Sequence, residues 1–161
     1  MVTGWRIVKS RHAGSAFDGE GARLYGGRWN TPGTRMVYTS GSISLAVLEV
    51  LVHLNRTSVL LSYSLCSAAF DEGVVEHLDR SKLPDGWRAY PALPELQEVG
   101  DSWIAGGASA VLEVPSAVVE RESNYLINPA HPDFATINIG EPEPFEFDER
   151  FVARPDQETG P

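Results

Sequence analysis

Cysteine is nearly absent from this sequence of 161 residues, which contains only Cys66. A single cysteine can form neither an internal disulfide nor a cysteine-based zinc cluster, so we expect Cys66 to be a small buried apolar side chain in a reducing compartment. No stretch approaches the roughly 18 consecutive apolar residues of a membrane-spanning helix, and the first residues lack the apolar run of a secretory signal. The sequence therefore predicts a cytoplasmic protein held together by packing.

Positive charge is also scarce, because 13 Lys and Arg stand against 22 Asp and Glu and give a formal net charge of −9. An acidic chain repels polyanions, so direct binding to nucleic acid is not expected. Residues 1–35 are the exception, since six basic residues face two acidic ones there and give a local charge of +4. These arginines are either ordinary solvated surface or a site for a small anion such as a pyrophosphate.

Signature motifs of several enzyme classes are missing as well. The four histidines form no HxxxH or HExxH pair, and we therefore expect no metal centre. There is no GxSxG of a serine hydrolase and no GxxxxGK[ST] of a phosphate-binding loop, and GEGARLYGG does not satisfy GxGxxG between a strand and a helix. Hydrolase-triad, ATPase and dinucleotide-fold readings are therefore weak.

The apolar pattern predicts one α+β domain over residues 1–154, with several short strands around a buried helix, and a polar tail over 155–161. Residues 43–54 are apolar nearly all round and predict the helix, with residues 40–42 as its N-cap region. The glycine-rich stretch 14–33 predicts a loop that either wraps a small ligand or forms plain turns, and 71–102 predicts short helices or loops. Strands are predicted at 4–8, 36–39, 58–65, 110–115, 136–139 and 145–148.

Glu49 is the most informative residue, because it lies inside the apolar segment ISLAVLEVLVHL. Removing a carboxylate from water costs several kcal/mol unless it is paired or protonated. Three explanations remain open at this point: an ion pair with an arginine, a solvent-facing stripe on the helix, or a catalytic carboxylate facing a cleft.

A second group of candidates surrounds the glycine-rich stretch. Arg6 and Arg28 carry planar guanidinium forks that match phosphate oxygens, and Arg28 directly follows two glycines whose backbone N–H groups could face the same anion. A structural salt bridge is the alternative for each. Tyr38 either stacks on a flat heterocycle or belongs to the core with its hydroxyl bound to a neighbour.

Three further residues have a simpler alternative reading. For Trp29 and Asn30, the alternative to a role in binding is a purely structural role, which is to order the loop that contains Arg28. Ser116 follows a proline at a predicted strand end, where it either hydrogen-bonds a substrate or belongs to an ordinary turn.

Taken together, the strings WRIV, GEGARLYGGRWNTPGTRMVYTS, SLAVLEVLVHL, VLEVPSAVV and NYLINPAHPDF resemble the RES domain, the toxin half of bacterial RES–Xre toxin–antitoxin pairs. The resemblance spans about residues 4–152, and GGRWN with the following VYT and LEV is its specific part. It implies a compact α+β fold related to ADP-ribosyltransferases, NAD⁺ as substrate, and a helix-turn-helix antitoxin of the Xre type as partner. Such proteins degrade NAD⁺ by hydrolysis or phosphorolysis, or transfer ADP-ribose to a protein.

The resemblance also implies a set of site residues. Glu49 would stabilise a sugar cation, Tyr38 would stack near the nicotinamide, and Ser116, with Ser123 as the alternative serine, would bond a polar edge of the substrate. The family's two arginines fall on Arg6 and Arg28, which would neutralise the pyrophosphate.

Three functions follow as hypotheses. The first is a toxin that degrades NAD⁺, and the second is an ADP-ribosyltransferase that modifies a specific protein. The third is a non-catalytic module in which the part of the glycine-rich stretch 14–33 around Gly27 and Arg28, called the Gly/Arg loop below, binds a nucleotide or a partner.

Overall fold

Short segments with alternating apolar residues assemble into one mixed sheet in the computed structural model, which describes residues 1–54 and 61–151. The strands are β1 (Val2–Lys9), β2 (Val37–Ser40), β3 (Tyr63–Phe70), β4 (Val75–His77), β5 (Val111–Pro115), β6 (Ser123–Ile127), β7 (Asn138–Ile139) and β8 (Glu143–Phe145). The α-helices are α1 (Glu20–Tyr25), α2 (Ile43–Leu51) and α3 (Pro94–Gly106). Short 3-10 helices lie at Ser10–Ser15, Glu72–Val74, Arg80–Lys82, Pro132–Thr136 and Glu149–Phe151.

The sheet runs in the order β4-β5-β6-β2-β1-β3-β7, and β8 also pairs with β3. Only β4 and β5 are parallel; the other pairs of the described strands are antiparallel. Within the described ranges β1 and β2 share a single paired position, Trp5 opposite Ser40, whereas β1 pairs with β3 along its whole length. The centre of the sheet is therefore weakly joined between β1 and β2.

Two of the apolar cores in the described residues cover the two faces of the sheet, because neighbouring strand residues point to opposite sides. A further core, formed by Ile7, Ala46 and Tyr63, joins α2 to β1 and β3. Val37 belongs to one core and the next residue, Tyr38, packs against the other. The first core contains Trp29, Met36, Leu96, Trp103, Leu112, Val114 and Leu126. The second contains Val37, Ala68, Phe70, Ala110, Val111, Ile127 and Ile137.

Helix α3 approaches the backbone of the Gly/Arg loop very closely. Pro94 begins the helix, and Gly107, in the left-handed conformation at φ 59°, ends it. A Cβ on Gly100 would overlap the backbone oxygen of Trp29, so only glycine allows this approach. This packing holds the backbone next to Arg28 against α3.

Helix α2 begins where the sequence predicts, since the Ser42 hydroxyl accepts a hydrogen bond from the backbone N–H of Leu45. The predicted burial on most faces is wrong. Leu45 and Ala46 are buried, but Leu48 and Val52 are 38% and 59% exposed, because the helix is covered on one side only. No helix in residues 1–54 and 61–151 has both the length and the apolar character needed to cross a membrane.

The predicted α+β class is confirmed, with β1, β2 and β5 at the expected places. The strand predicted at 58–65 has the wrong bounds, because β3 begins only at Tyr63 and its alternate residues remain buried as far as Phe70. The first residues of that prediction, 58–60, lie outside the described residues, as does the predicted tail 155–161.

Other elements differ from the prediction in both directions. The stretch predicted as loop at 14–33 contains α1, and α3 continues beyond the predicted bound at residue 102. Strands β7 and β8 are shorter than, or displaced from, the predicted strands. Strands β4 and β6 were not predicted at all, and β6 contributes a residue to the site described next.

Candidate active site

One carboxylate oxygen of Glu49 is held by two side chains of neighbouring elements. The Ser116 hydroxyl donates to Glu49 Oε1 at 2.8 Å, and the Asn124 amide donates to the same oxygen at 2.7 Å. In the described part of the chain no hydrogen bond reaches Oε2. The carboxylate is therefore fixed through Oε1, and Oε2 is available to a ligand because it forms no ion pair with the described residues.

Ser116 is completely buried, with 0% exposure, and its hydroxyl has no capacity left. Besides donating to Glu49, its oxygen accepts from the backbone N–H groups of Val118 and Val119, both at 3.1 Å. A hydroxyl has one proton and two lone pairs. The predicted bond from Ser116 to a polar edge of the substrate is therefore replaced by a bond that orients Glu49.

Ser123, the alternative serine, lies elsewhere. Its hydroxyl donates to Glu113 Oε1 at 2.5 Å, and Glu113 Oε2 lies 2.5 Å from His77 Nδ1. Side chains alternate along β5 and β6, so this group projects from the face of the sheet opposite to Asn124. The carboxylate separates the serine from the histidine, and the group lacks the serine–histidine contact of a nucleophilic triad.

The Gly/Arg loop is organised by Asn30, which is completely buried. Its amide nitrogen lies within 2.9–3.1 Å of three backbone oxygens, and its Oδ1 accepts from the Tyr38 hydroxyl at 2.6 Å. Gly27 lies against the same hydroxyl, and a Cβ there would be 2.6 Å from it. The predicted role of Asn30 and Trp29 in ordering the loop agrees with these contacts.

Tyr38 has its hydroxyl bound on both sides, since it donates to Asn30 and accepts from the backbone N–H of Trp29 at 3.0 Å. Burial raises the pKa of this phenol well above its usual range. The hydroxyl is thus part of the loop's structure, and any contact with a ligand would be made by the aromatic ring.

Arg28 is held by the segment before α3 through one nitrogen. Its Nη1 donates to the backbone oxygens of Trp87 and Ala89, both at 2.9 Å. Burial lowers the pKa of the Arg28 guanidinium, whereas the nearby charge of Glu49 raises it. Arg28 and Glu49 are therefore electrostatic neighbours, and Nε and Nη2 of Arg28 have no partner among the described residues.

Arg6 is placed differently. Its Nη1 donates to the backbone oxygen of Tyr38 at 3.2 Å, across the weak junction of β1 and β2. Its Nε is buried and has no hydrogen-bond partner in the part of the chain that the structure describes. Burial lowers the pKa of Arg6, with smaller opposing effects of Cys66 and Asp18. Arg6 thus touches the backbone of Tyr38, but the charges that act on it are not those of Arg28 and Glu49.

Two other arginines of the basic N-terminal region belong to the surface. Arg23 and Arg35 both pair with Glu20, and the side chains are about one third to one half exposed. For them the alternative of an ordinary solvated salt bridge is confirmed.

The sequence did not reveal two components of the site. Asn124 was missed because β6 was not predicted, although YLI after Ser-Asn is a short apolar strand pattern. The backbone oxygens of 87 and 89 were missed because main-chain contacts of an irregular segment have no side-chain signature.

The sequence of this chain is similar to those of several known proteins. The RES domain family matches residues 3–148. A protein named Toxin Res from Photorhabdus laumondii is 40% identical over 149 residues, which cover 92% of this chain and 96% of that protein. A protein named Prs ADP-ribosylating toxin from Sphingobium sp. (strain YBL2) is 37% identical over 155 residues, covering 93% of this chain and 96% of that one.

The fold also has a counterpart among solved structures. A chain in the crystal structure of the M. tuberculosis MbcT-MbcA toxin-antitoxin complex superposes with a TM-score of 0.75, covering 90% of this chain and 84% of that chain. The two sequences are 18% identical, so the likeness is one of fold.

Proposed function

Since the chain belongs to the RES domain family, we propose that it is the toxin of a toxin–antitoxin pair and that it consumes NAD⁺ by cleaving the bond between nicotinamide and ribose. The observation that carries this proposal is the carboxylate of Glu49, which two side chains fix through Oε1 while Oε2 has no partner among the described residues, together with its electrostatic interaction with Arg28. The C1′–N bond breaks, the electron pair leaves with neutral nicotinamide, and the ribose carbon becomes cation-like before the acceptor attacks.

Glu49 supplies the electrostatic part of this reaction. A sugar cation develops in the transition state, as in glycoside cleavage, and a carboxylate already oriented toward it stabilises it without reorganisation. The two donors on Oε1 restrict the rotation of the Glu49 side chain.

Arg28 is the better placed of the two proposed pyrophosphate ligands. The carbonyls of Trp87 and Ala89 fix its Nη1, so Nε and Nη2 can present a preformed pair of donors to phosphate oxygens. Arg6, whose Nη1 is bound to the backbone oxygen of Tyr38, would supply the second guanidinium. The ring of Tyr38, next to Gly27 and Arg28, would pack against the nicotinamide.

A second candidate function is transfer of ADP-ribose to a protein. It is favoured by the name of the Sphingobium relative, Prs ADP-ribosylating toxin, which is 37% identical to this chain. Both reactions share the same bond cleavage and differ only in the acceptor, which is water or phosphate in one case and a protein side chain in the other.

The proposal includes a partner and a location. A toxin must be held inactive in its own cell, and we propose an Xre-type antitoxin with a helix-turn-helix DNA-binding part that covers the cleft. The structural likeness to a chain of a toxin-antitoxin complex supports such a partner. The pair would act in the cytoplasm, where NAD⁺ is found.

The test is incubation of the purified chain with NAD⁺ in three conditions: buffer alone, buffer with inorganic phosphate, and buffer with a cell extract that lacks the toxin. Free nicotinamide is measured by chromatography and the ribose product by mass spectrometry. ADP-ribose in buffer indicates hydrolysis, its 1″-phosphate indicates phosphorolysis, and a protein mass increase indicates transfer. Absence of nicotinamide release in all three conditions would overturn the proposal and leave a binding module.

A further inference from the structure

Asn124 is the residue of the site that neither the sequence patterns nor the family resemblance assigned. It lies in β6, opposite Ser40 of β2 and Val114 of β5. Its amide nitrogen makes the shorter of the two hydrogen bonds to Glu49 Oε1, at 2.7 Å. On the other side of the same amide group, Oδ1 is buried and has no hydrogen-bond partner in the described residues.

The orientation of this amide follows from the chemistry of its neighbour. An ionised carboxylate only accepts hydrogen bonds, so a flipped amide would place Oδ1 against Glu49 Oε1 with no proton between the two oxygens. The nitrogen must therefore face Glu49, and this orientation leaves the oxygen without a partner among the described residues. A buried unpaired acceptor destabilises the folded protein, because the group has lost its hydration without replacement.

We propose that Asn124 is a positioning residue for Glu49, whose buried amide lowers the stability of the fold in return for a fixed direction of the carboxylate. This inference rests on the proposed function of Glu49. Ser116 alone would leave the carboxylate free to rotate about its single hydrogen bond. Ser116 in the turn after β5 and Asn124 in β6 both donate to Oε1 and hold it at one point. The fixed oxygen in turn directs Oε2 toward the substrate.

The first test is Asn124→Leu, which keeps the branching at Cγ and the number of heavy side-chain atoms and removes both polar atoms. The expected result is a kcat lower by about tenfold to a hundredfold, with KM within about twofold, because misplacement of a reacting group by about 1 Å can cost about a hundredfold in rate. The urea midpoint is expected to stay the same or to rise, since the unpaired acceptor is gone.

A role in folding alone gives the opposite pattern. If Asn124→Leu lowers the urea midpoint and leaves kcat of the folded fraction unchanged, the inference is overturned. The control is Ser123→Ala, which removes the neighbouring polar side chain of β6 on the other face and should leave kcat unchanged.

The second test is Asn124→Asp, which replaces the donor by a group that donates only while it carries a proton. The introduced carboxyl takes the place of the amide that donates to Glu49, and Arg28 is the charged group with an electrostatic interaction with Glu49. His53 lies four residues after Glu49, beyond the end of α2. At low pH the shared proton restores the hydrogen bond, and at high pH two carboxylates repel each other. Activity relative to wild type should fall as pH rises, and a constant ratio across the pH range would contradict the inference.

A measurement that does not use activity separates this inference from the proposed function. The side-chain NH₂ signals of Asn124 in ¹⁵N-labelled protein should move in Glu49→Ala and stay in place in Glu113→Gln. Unmoved signals in Glu49→Ala would overturn the inference even if the wild type consumes NAD⁺. If the wild type leaves NAD⁺ intact, the proposed function fails, and these signals still decide whether Asn124 holds Glu49.

Discussion

At the scale of single residues, the site depends on which lone pairs and protons are already used. Ser116 is saturated by Glu49 and two backbone N–H groups, and the Tyr38 hydroxyl is engaged by Asn30 and Trp29. Glu49 Oε2 and two nitrogens of Arg28 have no hydrogen-bond partner within residues 1–54 and 61–151. They carry opposite charges, which suits a substrate that combines an anionic bridge with a sugar that becomes cation-like.

Replacement of Arg28 by lysine keeps the charge and removes the fork. Lysine has no second nitrogen to bind the carbonyls of Trp87 and Ala89 while facing a phosphate. We expect NAD⁺ to bind about tenfold more weakly, on the order of one charge-assisted hydrogen bond. Calorimetry with Glu49→Gln as background avoids consumption of the ligand.

Arg23→Lys is the matched control for this measurement. Arg23 belongs to the same basic region but pairs with Glu20 at the surface, so its replacement should leave the Kd unchanged. Equal Kd values for the Arg28 and Arg23 variants would contradict a phosphate-binding role of Arg28.

Tyr38 makes a prediction about stability at alkaline pH. Its folded-state pKa is raised by burial above the ordinary value of 10.0, so the unfolded chain loses the phenolic proton first. The contribution of Tyr38 to stability is therefore complete below about pH 10 and decreases as pH rises further. Tyr38→Phe should be less stable than wild type at neutral pH and show a weaker loss of stability above pH 10.

Urea titrations at several pH values measure this difference. Tyr25→Phe is the control, because its side chain is 83% exposed and the variant should follow the wild-type curve. Parallel curves for Tyr38→Phe and wild type above pH 10 would contradict the account.

At the scale of elements, the predictable parts are those with a strong local signal. The N-cap Ser42 and the apolar run after it predict α2, and alternation predicts β1, β2 and β5. Strand β6 is not predicted because Ser123 and Asn124 at its start are polar. These two side chains donate hydrogen bonds to Glu113 and Glu49, which are distant in sequence. The apolar residues on the exposed side of α2 led to the wrong prediction of burial on most faces. Hydrophobicity alone does not show which face of a helix is covered by the rest of the protein.

The same limit applies to the site. Glu49 can be identified from sequence because a carboxylate in an apolar helix is unusual. The choice between Ser116 and Ser123 cannot be made from spacing, because it depends on which side of the sheet each serine faces. Contacts between residues 67 and 75 positions apart, such as those of Glu49 with Ser116 and Asn124, are tertiary and leave no local pattern.

The packing of α3 on the Gly/Arg loop predicts a sharp difference between two glycines of one helix. Gly100→Ala would press a methyl group into the Trp29 backbone oxygen and should cost about 1–3 kcal/mol of unfolding free energy, with lower NAD⁺ consumption because the loop of Arg28 must shift. Gly106→Ala meets nothing within 4 Å and should be as stable as wild type or more stable. Urea denaturation of the two variants decides the matter, and similar midpoints would contradict the close approach.

At the scale of the whole molecule, the site lies where separate elements of the fold meet. Helix α2 brings Glu49, the ends of β5 and β6 bring the groups that hold it, and the loop fixed by α3 brings Arg28. The net charge of −9 is not spread evenly along the chain, because six of the 13 basic residues lie before residue 36, among them Arg28. A small anion can therefore be bound by a chain that repels a large one.

The rate of nicotinamide release by Glu49→Gln, compared with wild type and with Glu113→Gln, tests the central claim most directly. Both variants exchange a carboxylate that accepts from a serine for a neutral amide of the same shape, one on each face of the sheet. We expect Glu49→Gln to fold and to lose at least about a hundredfold in rate, the loss typical of one preorganised electrostatic group, while Glu113→Gln keeps the wild-type rate. Nicotinamide release by Glu49→Gln at the wild-type rate would contradict the account.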